Sequence, residues 1–337
     1  MDLAARAGIA GAITVGGDWE RMGRWLQTVS TYSGGDTFDG VDDLDGWVAG
    51  LEQSGRFVAC SSGTTGRPAM LGATEADIEF GSQANVSAFT WATGIAPARD
   101  RRFFGLGPRT NVTRNERIRQ ALVDAFHDPG IDDYQLPLPM ITTGAITAMI
   151  LLRRKIADGT ARASEVAEFE RLSAERLHGV GEAMADAIDE LIASREQKLF
   201  LSAMWASLYP LAVGVRERGF GAADYRSDTS LLTGGGLKGA TLPPDYREFV
   251  HETFAIDPSR EFNLYSMQEI NTPFPRCPAG RYHVAPWVIA LPLDEPGERL
   301  LDTSHGDVEG RAAFVDLSLD GRWGGIISGD KVTTDFG

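Results

Sequence analysis

The alternation of short apolar runs with longer amphipathic segments constrains the fold of this chain more than any other feature. Apolar runs at residues 57–60, 198–201, 230–233 and 261–265 have the length and composition of buried strands. The segments after 161 have apolar residues at helical spacing, which predicts helices at 164–178, 182–195, 205–218 and about 243–254. Strands that alternate with helices are typical of a parallel sheet with crossover helices.

The pattern changes near residue 281. From there the chain consists of short apolar runs between turns, at 282–291, 312–319 and 325–328. We therefore predict an α/β fold with mixed or parallel sheets flanked by helices in residues 1–280, and a smaller β-rich subdomain in residues 281–337.

Composition narrows the classes of partner. The chain has 337 residues, with 47 acidic and 32 basic side chains and a net charge of −15. Such a charge repels phosphate backbones, so we expect no nucleic-acid partner and favour a small molecule or another protein. The two cysteines, Cys60 and Cys277, are too few for a disulfide framework or a cysteine-rich zinc module, and they favour a reducing cytoplasm.

Residues 136–152 are the most membrane-like stretch. They include Pro137, Pro139 and Gly144, and the stretch is shorter than the roughly 20 residues of a spanning helix. We predict a buried element of the α/β core and no membrane span.

The loop that follows the first apolar run carries the strongest chemical signal. Residues 61–68 read Ser-Ser-Gly-Thr-Thr-Gly-Arg-Pro. Two glycines permit a tight turn, four hydroxyls and the loop amides can donate to anionic oxygens, and Arg67 adds a positive charge. The loop has the properties of a phosphate cradle, although it lacks the spacing and the lysine of a P-loop. The alternative is an ordinary turn rich in serine, glycine and threonine.

This string resembles the signature loop of the adenylate-forming superfamily, which includes acyl-CoA synthetases and the adenylation domains of peptide synthetases. Three further segments resemble family motifs in the family's order: Thr-Gly-Gly-Gly at 233–236, Asn-Leu-Tyr-Ser-Met-Gln-Glu at 263–269 and Ser-Gly-Asp at 328–330. Residues 234–239 and 277–287 look most like the acyl-protein synthetase branch, with phenylacetate-CoA ligases more distant. The resemblance covers residues 55–337 and implies the large domain of an adenylate-forming enzyme.

The resemblance implies a reaction and a site. The reaction is ATP-dependent activation of a fatty or aromatic carboxylic acid to an acyl-adenylate, with release of pyrophosphate and transfer to a thiol of a carrier protein, a partner cysteine or CoA. Tyr265 would stack on adenine, and Asp330 would accept from the ribose hydroxyls. The implied nucleotide-binding residues are Ser61, Ser62, Gly63, Thr64, Thr65, Gly66, Arg67, Gly234, Gly235, Gly236, Tyr265 and Asp330. The implied catalytic residues are Glu269, which would also bind Mg²⁺, together with Gln268, Lys238 and His283.

Departures from the family pattern leave alternatives open. Ala69 replaces the usual lysine, a change for which Arg67 or Lys238 would compensate, and Gln268 stands where the family has threonine. The sequence also ends before the small C-terminal lid domain that family members carry. A non-catalytic nucleotide-binding or acyl-adenylate-binding subunit and an acyl-amido synthetase are the two alternatives. We expect an acyl pocket from residues 136–149 and 205–209, a packing role for Cys60, and for His283 either a core hydrogen bond or a place in that pocket.

Overall fold

A six-stranded sheet lies at the centre of the computed structural model, which describes residues 17–60, 70–234, 236–237, 240–304 and 306–336. The helices of this described part are α1 (Trp19–Val29), α2 (Leu44–Gln53), α3 (Glu75–Thr93), α4 (Thr113–Phe126), α5 (Thr143–Ala157), α6 (Ala163–His178), α7 (Val180–Ala193), α8 (Trp205–Glu217) and α9 (Tyr246–Phe254). The strands are β1 (Arg56–Cys60), β2 (Met70–Thr74), β3 (Arg102–Gly105), β4 (Tyr134–Gln135), β5 (Leu199–Ser202), β6 (Ser230–Gly234), β7 (Glu261–Tyr265), β8 (Phe274–Pro275), β9 (Val288–Leu293), β10 (Asp307–Asp316) and β11 (Gly325–Asp335).

The central sheet is mostly parallel. Its strand order is β4-β3-β5-β6-β7-β8, and only β8 runs antiparallel to its neighbour. Phe200, Leu231 and Phe262 are fully buried on its inner strands, because helices cover both faces. This arrangement brings the carboxyl ends of β5, β6 and β7 to one edge, where ligands of α/β proteins bind.

Local sequence explains where α3 begins and ends. The Thr74 hydroxyl accepts from the Asp77 backbone N–H at 3.2 Å, and the Asp77 carboxylate accepts from the Thr74 N–H at 2.8 Å. This reciprocal capping box satisfies backbone donors at the helix start. The helix ends at Gly94, whose φ of 66° is accessible to glycine at little cost.

A second, antiparallel sheet forms the C-terminal part, in the order β11-β10-β9. Val288, Ala312 and Phe314 from this sheet pack against Ile270 and Phe274, which follow β7. The segment between β7 and β8, which contains Glu269, is therefore packed against the antiparallel sheet.

The predicted fold class is confirmed: an α/β region with a largely parallel sheet precedes a small antiparallel sheet. The predicted strand at 282–291 is wrong in its first half. Tyr282 forms only an isolated bridge with Arg276, and the strand begins at Val288 after a turn in which the Val288 N–H donates to Ala285 O. Pro286 lies in that turn and has no N–H to give to a ladder. The boundary at 280/281 stays a prediction.

The membrane-like stretch at 136–152 becomes an extended segment followed by α5. Thr143, Thr147 and Ile150 are the buried positions of this helix. Across the described ranges, none of the helices combines the length and the hydropathy that crossing a bilayer would require.

Candidate functional site

The carboxyl ends of β6 and β7 bring two of the sequence motifs side by side. Thr233 pairs with Asn263 and Gly234 with Leu264, so the glycine turn and Tyr265 lie at the same edge of the sheet. A Cβ on Gly234 would lie 3.2 Å from the Leu264 side chain, and Gly236 has a φ of 37°. Both positions therefore favour glycine. The predicted residues Gly235 and Lys238 lie outside the described residues.

The β1–β2 hairpin carries the serine, glycine and threonine loop. Antiparallel pairing continues to Cys60 and Met70, so the chain leaves the hairpin and returns to it at adjacent points. The predicted phosphate-binding residues of this loop, like Ala69, lie outside the described residues: Ser61, Ser62, Gly63, Thr64, Thr65, Gly66 and Arg67. Cys60 itself is buried, and its Sγ lies 3.5 Å from the Thr147 hydroxyl of α5, in agreement with a packing role.

Tyr265 and Asp330, which are 65 positions apart in the sequence, are in direct contact. The Tyr265 hydroxyl donates to Asp330 Oδ2 at 2.6 Å, and the Asp330 N–H donates to the Ser328 hydroxyl at 2.8 Å. Burial and this acceptor raise the pKa of Tyr265 above its usual range, so the phenol stays protonated at neutral pH. Its ring lies against Phe274, at 5.9 Å between centroids, and Phe314, at 6.3 Å, and these two rings also contact each other at 5.2 Å.

Glu269 is partly buried in the turn that follows β7. Its charge raises the pKa of Cys60, the last residue before the loop, and the pKa of Tyr265. In both cases burial is the larger cause of the shift. No hydrogen bond or ion pair joins its carboxylate to another residue in the described ranges. Among those residues, its charge also raises the pKa of Arg114 and Arg322.

The side chains around Glu269 fit a Mg²⁺ ion that is bound together with substrate phosphates, and do not fit an ion held by protein ligands alone. Among the described residues there is no group of three or more His, Cys, Asp or Glu side chains that could hold an ion by themselves. Mg²⁺ is commonly bound through one or two carboxylates together with substrate phosphates and water, and a single available carboxylate meets that requirement.

Gln268 is already engaged within the protein. Its side-chain oxygen accepts from Arg114 Nη1 at 2.9 Å, and its side-chain nitrogen donates to Asn115 Oδ1 at 3.3 Å. Both contacts come from α4. The predicted role of Gln268 at a phosphate stays a prediction, and one of its two amide N–H donors is engaged by Asn115.

His283 lies outside the core, so the expectation of a core hydrogen bond is wrong. It is exposed, its ring packs on Trp91 at 4.9 Å, and it hydrogen-bonds the Cys277 thiol. The His283 N–H donates to Pro275 O, which is opposite Leu264 and away from the Tyr265 end of β7. Trp91 is 14 positions along α3 from Asp77, about 20 Å at the helical rise, and Asp77 contacts Asn271. Among the described residues, the contacts found for His283 are with Trp91, Cys277 and Pro275, and none is with Glu269.

Two arginines that the motifs did not single out hold the turn at Glu269. Arg322 donates to the Gln268 and Glu269 carbonyls, and Arg114 donates to the Ile270 carbonyl. Neither belongs to a recognisable motif. Arg322 follows the turn-forming residues 320–321 and Arg114 lies in the polar helix start 113–117, so the sequence carries no signal that separates either arginine from its neighbours.

The structure places the two predicted acyl-pocket segments differently. Trp205 and Leu208 are fully buried in the main core. A cleft of about 530 Å³ lies along α5, where Gly144, Thr147 and Leu151 face Leu44 and Trp19. The cleft overlaps the predicted 136–149 segment.

Comparison with known proteins identifies solved structures of similar fold. No protein-family model matches the chain, and no curated protein does. ATP-bound MatB from Rhodopseudomonas palustris is 15% identical, with a TM-score of 0.45, and the match covers 81% of this chain and 44% of that one. A mutant of the amide bond synthetase McbA from Marinactinospora thermotolerans is 13% identical, with a TM-score of 0.41 and coverage of 79% and 41%. A fatty acyl-adenylate ligase from L. pneumophila, in complex with acyl adenylate and pyrophosphate, is 9% identical, with a TM-score of 0.40 and coverage of 78% and 42%.

The chain spans less than half the length of each of the three. The functional argument below therefore rests on the geometry of this chain.

Proposed function

We propose that this chain activates a carboxylic acid with ATP and forms an acyl-adenylate and pyrophosphate. One observation supports this most directly. The Tyr265 hydroxyl donates to Asp330, Thr233 and Gly234 pair with Asn263 and Leu264, and the charge of Glu269 acts on Cys60 at the end of β1, so three of the motifs meet near the carboxyl ends of β6 and β7. Ligands of open α/β sheets bind at such an edge.

Each motif would have a distinct task in this reaction. The substrate carboxylate oxygen attacks the α-phosphorus of ATP, the bond to pyrophosphate breaks, and its electron pair leaves with the pyrophosphate. The hydroxyls and amides of the 61–66 loop, with Arg67, would bind the β- and γ-phosphates. Tyr265 would pack against adenine, and Asp330 would accept from the ribose while it holds the Tyr265 hydroxyl. Such a site accelerates the reaction by positioning and by charge neutralisation.

The negative charge of a bound triphosphate needs positive groups nearby, because the protein itself has a net charge of −15. Bound Mg²⁺ would supply positive charge at the phosphates, and Glu269 is the residue that would hold it. Lys238 would add a second cation near the glycine turn. Gln268 and His283 remain predicted participants, for which the contacts described above offer less support.

The substrate and the acceptor are finer parts of the proposal. Leu44, Ala148 and Leu151 of the cleft along α5 would hold a fatty or aromatic acyl group, and Asp42, Asp43 and Asp45 also line this cleft. In accordance with the acyl-protein synthetase resemblance, the acceptor would be a thiol of a carrier protein, a partner cysteine or CoA, and the reaction would take place in the cytoplasm.

A second candidate is a protein that binds the nucleotide or the acyl-adenylate without turnover. The engagement of Gln268 by Arg114 and Asn115 favours it, because α4 already holds the amide and uses one of its two N–H donors. The replacement of the loop lysine by Ala69 points the same way.

Exchange of labelled pyrophosphate into ATP separates the two candidates. We expect exchange that depends on an added carboxylic acid and that falls about 100-fold or more in Glu269→Gln, which keeps the side-chain shape but removes the charge. Glu196→Gln is the matched control, since the Glu196 side chain is 85% exposed. ATP binding without exchange for any acid in a panel of short, long and aromatic acids would contradict the enzyme and favour the binding protein.

A further inference from the structure

Two guanidinium groups hold the backbone of the turn that contains Glu269. Arg322 Nη2 donates to Gln268 O at 2.9 Å and to Glu269 O at 3.1 Å. Arg114 Nη2 donates to Ile270 O at 2.8 Å, and its Nη1 donates to the Gln268 side chain. Three consecutive residues of the turn are thus fixed by charge-assisted hydrogen bonds, which are stronger than neutral ones.

Arg322 also connects this turn to the hairpin that carries the 61–69 loop. Its Nη1 donates to Gly72 O at 2.7 Å, and Gly72 is on β2, directly opposite Val58 of β1. One side chain therefore fixes the distance between the hairpin and Glu269. In the proposed reaction these two elements bind the same triphosphate.

The nearby carboxylates do not compete for the two arginines. Asp77 accepts from the backbone N–H groups of Thr74, Asp320 and Gly321, and Asp316 accepts from the Asn271 N–H. Burial, the largest cause, lowers the pKa of both guanidinium groups, whereas the charges of Asp77, Asp316 and Glu269 raise it. Repulsion by Arg322 adds to the lowering for Arg114, whose pKa falls to about 10. The guanidinium groups therefore donate to the carbonyls of the turn, to Gly72 O and to the Gln268 side chain.

We propose that Arg322 and Arg114 are positioning residues that set the place of the Glu269 carboxylate relative to the phosphate-binding hairpin. The inference rests on the proposed function, because it assigns a task within that reaction. In this proposal neither arginine touches the reacting atoms. They act through the backbone of residues 268–270, and a displacement of about 1 Å in such a site is enough to lower a rate on the order of 100-fold.

The test compares Arg322→Lys and Arg114→Lys with Arg117→Lys. Lysine keeps the charge but cannot span three carbonyls in the planar arrangement of a guanidinium. Arg117 is on the same helix as Arg114, and its ion pair with Glu75 is exposed. We expect Arg322→Lys to lower the rate of acid-dependent pyrophosphate exchange about 10- to 100-fold, with circular dichroism unchanged and Arg117→Lys like the wild type.

A double-mutant cycle distinguishes positioning from general destabilisation. If Arg322 acts through Glu269, Arg322→Lys causes no further loss of exchange in the Glu269→Gln background. A second readout is binding: the strengthening of ATP affinity by Mg²⁺, measured by calorimetry, should be reduced in Arg322→Lys as it is in Glu269→Gln. Losses that simply multiply in the double variant would overturn the inference.

The failures of the two proposals can be told apart. A wild-type protein that exchanges pyrophosphate, together with folded arginine variants of unchanged rate, overturns the inference and leaves the function standing. A wild type that binds ATP without exchange overturns the catalytic function, and the Mg²⁺ dependence of ATP binding then decides the inference. A wild type that binds no ATP overturns both. If Arg322→Lys unfolds, Arg114→Lys is used for the same measurements, and if both unfold, the arginines are structural and the inference is wrong.

Discussion

The surroundings of Cys277 in the folded chain lower the pKa of its thiol, which its neighbours in the sequence do not predict. It lies in the turn between β8 and β9, where the His283 side chain and the N–H groups of Arg281 and Ala279 hydrogen-bond the sulfur. These donors stabilise the thiolate and lower the pKa of Cys277 to about 7. The sequence predicts a packing role for Cys60 but does not indicate a lowered pKa for Cys277; the pKa of Cys60 is raised chiefly by burial.

The two thiols should therefore differ in alkylation by iodoacetamide. Because a lowered pKa places the thiolate at lower pH, we expect the Cys277 rate to rise with pH and reach half its maximum near pH 7. In His283→Ala the midpoint should move up toward about 8.5, the usual value for a thiol. Cys60 is the internal control and should stay unmodified in the folded protein, as measured by peptide mass spectrometry. A Cys277 midpoint above pH 8 in the wild type would contradict the assignment of His283 as its partner.

At the scale of elements, the contact between α3 and the turn after β7 depends on glycine. A Cβ on Gly81 would lie 2.7 Å from Asn271 Oδ1 and 3.1 Å from Asn271 O, so the helix approaches the 269–272 turn more closely than an alanine allows. The Asn271 amide also donates to Asp77 O at the start of the same helix. Helical periodicity in the sequence does not reveal this approach, since it depends on which element packs opposite Gly81.

Gly81→Ala and Gly181→Ala form a matched pair of helix substitutions. Gly181 is in the first turn of α7, and a Cβ there meets no atom of its surroundings within 4 Å. We expect Gly181→Ala to raise the free energy of unfolding by up to about 1 kcal/mol, because alanine favours the helix. Gly81→Ala should lower it by about 1–3 kcal/mol through overpacking. Urea denaturation followed by circular dichroism measures both, and equal effects of the two substitutions would contradict the close approach at Gly81.

At the scale of the whole molecule, the structure ties the β-rich subdomain to the α/β region. Phe314 packs on Phe274 at 5.2 Å between ring centroids, and Asp316 accepts from the Asn271 N–H at 2.6 Å. The Asp77 carboxylate also accepts from the N–H groups of Asp320 and Gly321. These contacts cross the predicted boundary at 280/281 and surround the turn at Glu269.

Hydrogen exchange tests whether the boundary separates two stability units. Because the crossing contacts are buried, we expect peptides from β10 and from β5 to lose protection at the same urea concentration. Exchange of β10 at a clearly lower urea concentration, with β5 still protected, would show an independent subdomain and contradict this expectation. The terminal strand β11, whose outer half is exposed, provides the comparison for local fraying.

The sequence by itself determined the fold class and the chain order of the motifs. The strand at 261–265 and the helix at 205–218 follow from local periodicity, which can be recognised in the sequence without knowledge of tertiary contacts. Only the tertiary structure decided the other features. These are the pairing of Tyr265 with Asp330, the exposure of His283, the pKa difference between Cys60 and Cys277, and the hydrogen bonds of the two arginines to the backbone at Glu269. Each of these depends on which distant segments meet, and neither spacing nor composition encodes the distance between atoms that are tens or hundreds of residues apart.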